Sequence, residues 1–183
     1  MKKLKLTLLF ILFASLASFS QTDKNALISK TGDLWTSLVE ENYSIEYPGS
    51  WELNRPGQGG PRFLLFSKLG SAEDTFRENV NLLIQDLQGM DIDLDKYTAI
   101  SEEQIKTMLE DGNIIESSRQ NANGRDFQKV IYRGKYAPYD LKFEQYYWIE
   151  GGKAYVLTLT CEVSQYEAFK ETGERILDSF RLK

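Results

Sequence analysis

Four consecutive strand patterns in the second half of the chain constrain its fold more than any other feature. Apolar and polar residues alternate over residues 114–119, 126–136, 141–149 and 154–163, which is typical of β-strands. Turn residues stand at each junction, namely Asn123-Gly124, Pro138-Tyr139-Asp140 and Gly151-Gly152. Because short connections join neighbouring antiparallel strands, this half of the chain predicts an antiparallel meander.

Shorter strand patterns occupy the first half. Residues 35–39 and 43–47 are typical of a hairpin that turns at Glu41-Asn42. Further strands are predicted at residues 63–66 and 79–87.

A glycine-rich segment from Arg55 to Arg62 precedes the strand at 63–66. A phosphate-binding loop would end in Gly-Lys-Ser/Thr and lead into a helix, whereas a strand follows here. We therefore expect a surface loop. Because such a loop can adapt to a partner and arginines often anchor interfaces, Arg55 and Arg62 are candidate partner-binding residues.

Two helices are predicted beside the strands. Ser101-Glu102-Glu103-Gln104 forms a capping box, which predicts a helix over residues 102–110, with Leu94 and Tyr97 in an optional extra opening turn. A second capping box starts at Ser164 and opens an amphipathic helix that carries one apolar face. That face consists of Tyr166, Phe169, Gly173, Ile176, Leu177 and Phe180. The predicted fold class is α+β, an antiparallel sheet with helices packed on it.

Residues 1–20 have the composition of an export signal. Lys2, Lys3 and Lys5 precede an apolar run over residues 6–19, and Ser18-Phe19-Ser20 supplies the small residues that a signal peptidase recognises. The run is shorter than the roughly 20 apolar residues of a membrane-spanning helix. We expect cleavage after Ser20, with a retained anchor as the alternative.

Cleavage would divide the chain into three parts. Residues 1–20 are the signal peptide, the polar residues 21–33 form a flexible tether, and residues 34–183 form one domain. The protein would then be periplasmic or secreted, without stable insertion in the membrane.

Charge and composition exclude several functions. The 22 basic and 27 acidic residues give a net charge of −5, and losing the leader lysines makes it more negative, so nucleic acid is excluded as a partner. The chain contains no histidine, which removes Ser-His-Asp and Cys-His catalysis. The one cysteine, Cys161, shares the apolar face of a predicted strand with Leu157 and Leu159, which indicates a buried, inert thiol.

Three segments, in order, carry a family resemblance. They are residues 43–51 with Pro48-Gly49-Ser50-Trp51, residues 123–134 from Asn123-Gly124-Arg125, and residues 152–158 with the closing helix and Ser179-Phe180. The chain resembles the PsbP-like superfamily, which includes the photosystem II extrinsic protein, DcrB-like exported proteins and a nuclear import factor that binds Ran. The resemblance implies an α/β/α sandwich and a non-enzymatic role in assembly or binding. It supplies no shared active site and no cofactor.

Acidic residues alternate just before the first predicted helix. Asp91, Asp93 and Asp95 could supply oxygen ligands to calcium, and Glu102 stands at the twelfth position of such a loop. However, Lys96 replaces the glycine that the sixth position needs. Because acids before a helix also favour its positive end, a solvated acidic segment is the preferred interpretation and calcium the alternative.

Two large aromatics share the second face of the strand at 141–149. Tyr146 and Trp148 alternate with the apolar face and stand beside Lys142 and Glu144. They could form a partner-binding patch. The alternative, which the family resemblance favours, is that a helix covers this face and both rings belong to its core.

Two classes of function follow from these patterns. The first is an exported, non-enzymatic binding or assembly accessory whose partner is an envelope or extracellular protein. The alternatives are a carrier of a small apolar ligand and a hydrolase that uses a pair of carboxylates. Because no catalytic constellation stands out, we expect a protein that is not an enzyme and has no cofactor.

Overall fold

The computed structural model describes residues 34–57, 59–136 and 138–183. The predicted signal peptide and tether lie outside these residues. The first strands are β1 (Trp35–Val39), β2 (Tyr43–Pro48), β3 (Glu52–Asn54), β4 (Phe63–Phe66) and β5 (Asn79–Asp86). After helix α1 (Leu94–Met108) come β6 (Glu110–Ala122), β7 (Arg125–Tyr136), β8 (Tyr139–Glu150) and β9 (Lys153–Glu162), then helix α2 (Tyr166–Asp178) and β10 (Arg181–Leu182).

The strands form two antiparallel sheets. The larger has seven strands in the order β3-β4-β5-β9-β8-β7-β6, and the smaller has three in the order β1-β2-β10. The predicted meander is therefore confirmed as β6 to β9. At its first turn, Asn123 and Gly124 have φ angles of 54° and 75°, which fits the tight hairpin turn that this dipeptide favours.

Helix α2 and the small sheet cover one face of the large sheet, which we call the α2 face. Their shared core joins apolar side chains of β1 and β2 to inward-facing residues of the large sheet. Ile45, Leu157, Leu159 and Ile176 are fully buried there. Gly173 allows this close packing, because a side chain at this position would collide with Leu159.

Helix α1 covers the opposite face, which we call the α1 face. Tyr97 and Ile105 point from the helix into a core that contains Tyr132, Leu141 and Tyr147. The Tyr97 and Tyr147 rings meet edge to face with centroids 5.4 Å apart. Helices on both faces of an antiparallel sheet are the α+β sandwich that the sequence predicted.

The first helix begins earlier than its capping box predicted. Its N-cap is Asp93, whose Oδ1 accepts a hydrogen bond from the Lys96 N–H at 2.8 Å. Ser101 lies inside the helix, fully buried, and its hydroxyl donates to the Tyr97 carbonyl at 2.8 Å. Asp93 and Ser101 are both competent N-cap residues, and the earlier one adds two turns that bury Tyr97.

The second capping box was also wrong in detail. Helix α2 starts after Gln165, whose side chain makes no capping hydrogen bond. The predicted apolar face is nevertheless correct, since Tyr166, Gly173, Ile176 and Leu177 are all buried. The short strands β3 and β10 were not predicted. Among the residues described, no helix is long and apolar enough to span a membrane.

Candidate functional site

Tyr146 and Trp148 lie in the core between β8 and α2. Their exposed fractions are only 4% and 7%. The Trp148 ring packs against Phe127 and Phe180, with centroid distances of 5.2 and 5.0 Å. Of the two interpretations drawn from the sequence, the second-face core describes these rings, and an exposed patch does not.

A buried charge network surrounds Tyr146. Glu144 is fully buried, and its Oε1 lies 2.8 Å from the ammonium group of Lys129. Its second oxygen accepts a hydrogen bond from the Tyr166 hydroxyl at 3.1 Å. Burial by itself would lower the pKa of Lys129, but the hydrogen bond and ion pair with Glu144 outweigh it and the pKa is raised. Because its oxygens have partners, this carboxylate stabilises the packing of α2 on the sheet.

Neutral hydrogen bonds occupy the corresponding position on the α1 face. The Tyr147 hydroxyl donates to Gln145 Oε1 at 2.6 Å, and the Gln145 amide donates to the Thr158 hydroxyl at 2.9 Å. Burial raises the pKa of Tyr147 well above its usual value. These side chains are also committed to internal contacts.

Three of the four candidate calcium ligands, the aspartates, have partners other than a metal ion. Asp91 pairs with Lys96, and Asp93 caps α1. Asp95 pairs with Arg119. Within the described part of the chain, no group of three or more acidic or cysteine side chains is placed to hold a metal ion, and Glu102 is not brought to the three aspartates. The spacing of the aspartates therefore serves the start of α1.

Arg55 and Arg62 flank an exposed loop. Arg55 forms an ion pair with Glu40 at 2.8 Å and is more than half exposed. Arg62 is also exposed, while its backbone N–H donates to the Leu82 carbonyl at 2.7 Å. Gly57 and Gly59 have positive φ angles of 89° and 85°, which suits glycine. Partner binding by these arginines remains a prediction.

An open groove with aromatic walls lies elsewhere, between the β1–β2 hairpin, the end of β4 and α2. We call it the aromatic groove, and its volume is about 540 Å³. Its walls contain three aromatic side chains and three charged ones. Those side chains are Trp35, Trp51, Phe169, Lys68, Glu171 and Arg175.

Hairpin geometry brings the two tryptophans of the aromatic groove together. The β1–β2 register places Trp35 opposite Pro48. The chain then turns, with the Trp51 N–H donating to the Pro48 carbonyl at 2.9 Å. Trp51 meets Phe169 of α2 edge to face, with centroids 6.3 Å apart. Two elements that are distant in sequence therefore build one aromatic wall.

Arg175 of α2 lies over the Trp35 ring of this groove. Its guanidinium carbon is 3.8 Å from the centroid of the Trp35 ring, a close cation–π contact. Glu171 stands one helical turn earlier, yet the two side chains form no ion pair with each other in the structure. A guanidinium held over a ring can still bind an anion through its N–H groups.

A buried carboxylate lies behind the floor of the aromatic groove. Ser67 lines the groove, and its hydroxyl contacts Glu78 Oε2 at a long 3.4 Å. Glu78 is 1% exposed, and its Oε1 has no hydrogen-bond partner among the described residues. Burial therefore raises the pKa of Glu78.

Cys161 lies close to Glu78 on the α2 face. The thiol is fully buried, as the strand alternation predicted. Burial is the largest cause of its raised pKa, and the nearby carboxylates of Glu78 and Glu144 raise it further. A thiol in this environment is a poor nucleophile.

A second depression of about 420 Å³ lies beside Trp148 at the turn between β6 and β7. Its acidic side chains are already engaged. Asp126 accepts from the Asn121 amide at 2.7 Å, and Glu150 lies 3.9 Å from Arg125. It offers no pair of free carboxylates among the described residues.

Sequence reasoning did not identify the aromatic groove. Trp35 was assigned to a strand, Trp51 to the motif after the second strand that carries the family resemblance, and Phe169 to the apolar face of a helix. Each assignment is correct, but no spacing in the sequence links the three rings. No signal in the sequence could have found the groove, because the incomplete burial of this part of α2 follows from how the hairpin packs against it.

Comparison with known proteins supports the fold. No family model matches the sequence, and a search of curated proteins finds no match. Among solved structures, the chain is similar to the cyanobacterial PsbP of Synechocystis sp. PCC 6803, with a TM-score of 0.63 and 16% identity over 86% of this chain and 99% of that one.

Two further structures share the architecture. LpqN of Mycobacterium tuberculosis, a protein involved in cell envelope biogenesis, matches with a TM-score of 0.59 and 13% identity over 84% of this chain and 92% of its own. PA94 of Pseudomonas aeruginosa, a protein of unknown function, has a TM-score of 0.50 and 16% identity over 79% and 94% of the two chains. The chain therefore has a PsbP-like fold, as its sequence motifs indicated.

Proposed function

We propose that this PsbP-like chain is an exported, non-enzymatic accessory protein that binds a partner in the aromatic groove. The observation that carries the proposal is the wall formed by Trp35, Trp51 and Phe169, with a stacked arginine at its rim. Rigid aromatics and arginine are the side chains that most often anchor a binding partner.

The chemistry of the aromatic groove supports binding over catalysis. Glu171 is the one carboxylate among its described lining residues, whereas glycoside hydrolysis uses two. The chain has no histidine to act as a general base, and Cys161 is sealed inside the sheet. The groove is also open to the surface, which fits a docking partner better than an enclosed apolar cargo.

Export is supported by the basic and apolar character of residues 1–20 and the small residues before Gln21. Intact-mass measurement of protein recovered from the native host should give an N-terminus at Gln21. A chain that still begins at Met1 in the membrane fraction would contradict cleavage.

Site-specific photocrosslinking tests the binding site. A photoreactive amino acid replaces Ala168, which lines the aromatic groove, or Lys170, an exposed residue of the same helix outside it. Irradiation in the native envelope or medium fraction should give a discrete adduct from position 168 and none from position 170. Equal adducts at both positions, or none at position 168, would contradict binding in the groove.

A further inference from the structure

We infer that the occupant of the aromatic groove is an acidic peptide segment, one with a carboxylate beside an aromatic or large apolar residue. The inference rests on the proposed binding function and adds the chemical class of the partner. Its basis is the combination of charge, ring surface and length in the groove.

The first argument concerns Arg175. Its guanidinium carbon lies 3.8 Å from the centroid of the Trp35 ring, and this contact limits the conformational freedom that is lost when a carboxylate binds. Arg175 makes no ion pair with any other described residue. A planar guanidinium with an open N–H edge matches the two oxygens of a carboxylate.

The second argument is local charge complementarity. Lys68 also lines the groove and is likewise without an ion pair in the described part of the chain. Two cations therefore face one anion, Glu171, in a protein whose net charge is −5. An acidic occupant is therefore attracted to this groove, although the protein as a whole carries a negative charge.

The third argument is the form of the groove. Its α2 wall runs from Ala168 to Arg175, which is about 10 Å along a helix axis. That length accommodates about three residues of extended peptide. Farther along the same wall lies the partly buried ring of Phe169, backed by the buried ring of Trp51, so a carboxylate at Arg175 would be followed by an aromatic or apolar side chain.

Titration of two labelled synthetic peptides onto the folded chain at low salt tests the inference. One is the hexapeptide Gly-Ser-Glu-Phe-Glu-Phe with an amidated end, and the other has glutamine in place of both glutamates. The acidic peptide should bind at least about tenfold more tightly, because it alone makes a charge-assisted hydrogen bond to Arg175.

Charge variants on one helix locate the effect. Arg175→Gln should remove the preference for the acidic peptide, and the matched control Lys170→Gln should keep it. Glu171→Gln should strengthen binding of the acidic peptide, because it removes a competing anion. Arg175→Glu should favour the same peptide carrying lysine in place of glutamate. Circular dichroism confirms that each exposed-site variant is folded.

The outcomes separate this inference from the proposed function. Equal binding of acidic and neutral peptides, with an adduct still formed at position 168, would overturn the acidic preference and leave the binding function standing. Equally tight binding of free N-acetylphenylalanine would overturn a peptide occupant in favour of a small aromatic acid. Failure of both peptides together with absence of the position 168 adduct would overturn both proposals.

Discussion

The two faces of the large sheet differ in the elements that cover them and in the buried polar groups that they contain. On the α1 face, one helix covers the strands, and the buried polar atoms are neutral hydroxyls and amides such as those of Tyr147 and Gln145. On the α2 face, a helix and a second sheet share the cover, and the buried polar atoms include the charged pair Lys129–Glu144. The composite cover is also the one whose junction opens into a groove.

This difference shows how a binding site can arise at the margin of a core. On the α1 face the helix packs directly on the sheet, whereas on the α2 face the helix meets the edge of a second sheet and leaves a groove lined by aromatic side chains between them. Removing one partner of a buried ion pair strongly lowers the stability of the folded protein. Substitutions on the α2 face should therefore be more destabilising than those on the α1 face.

The largest expected effect is on the buried ion pair. Lys129→Met should lower the free energy of unfolding by about 3–5 kcal/mol, because it leaves the fully buried Glu144 without its cation. Urea denaturation measures the change, and Lys170→Met on the exposed side of α2 is the control. A solvent-exposed ion pair contributes less than about 1 kcal/mol to stability. A loss below that value would show that the charged pair does not make the α2 face more sensitive than the α1 face.

The next effect concerns the close approach of α2 to the sheet. Gly173→Ala should cost about 1–3 kcal/mol, because the added methyl group would collide with the side chain of Leu159. Thr172→Ala, one position earlier, serves as the control in the same thermal unfolding experiment. A neutral or stabilising Gly173→Ala would show that α2 can move away from the sheet without loss.

A smaller effect is expected on the α1 face. Tyr147→Phe removes the hydroxyl that donates to Gln145 at 2.6 Å. It should lower the free energy of unfolding by about 1–2 kcal/mol, because a neutral hydrogen bond is lost and its buried acceptor is left unpaired. Tyr136, which is 47% exposed, gives the control Tyr136→Phe. A cost for Tyr147→Phe equal to that of Lys129→Met would mean that both faces depend equally on their polar atoms.

The smallest effect is a dependence on pH from the α2 face. Burial raises the pKa of Glu78 above its ordinary value, so the folded state binds more protons than the unfolded chain in the interval between the two pKa values. Stability contributed by this group therefore falls as pH rises through that interval. Glu78→Gln should be more stable than the natural chain at pH 7 and lose this advantage below about pH 4. Denaturation midpoints over this pH range provide the measurement, and a parallel pH response of both proteins would contradict the burial of the charge.

Much of the fold could be predicted because it depends on local pattern. Strand alternation and turn residues located β1, β2 and the whole meander, and the apolar stripe located α2 and its buried face. The start of α1 was misplaced because Asp93 and Ser101 are both competent caps, and only the packing of Tyr97 selects the first. The strands β3 and β10 are three and two residues long, too short for any period to show.

The candidate site was harder to predict for a physical reason. For Tyr146 and Trp148 the strand alternation left an exposed patch and a covered core both open, and α2 and the small sheet cover them. Trp51 is buried, whereas Trp35 and Phe169 are only partly buried, because the junction of α2 with the small sheet leaves a groove between these rings. Exposure depends on which element covers a face, and that information is spread over residues distant in the chain.

The pairing of β10 with β2 has a consequence for the order of folding. Ser179 hydrogen-bonds to Glu46 and Lys183 to Glu40, which joins residues 133 and 143 positions apart. Contacts between such distant residues form late, because a long loop must close before they are gained. The walls of the aromatic groove belong to these same two regions, so the groove exists only after the ends of the fold have met. A partner that binds there would distinguish a completed molecule from one still emerging or partly unfolded.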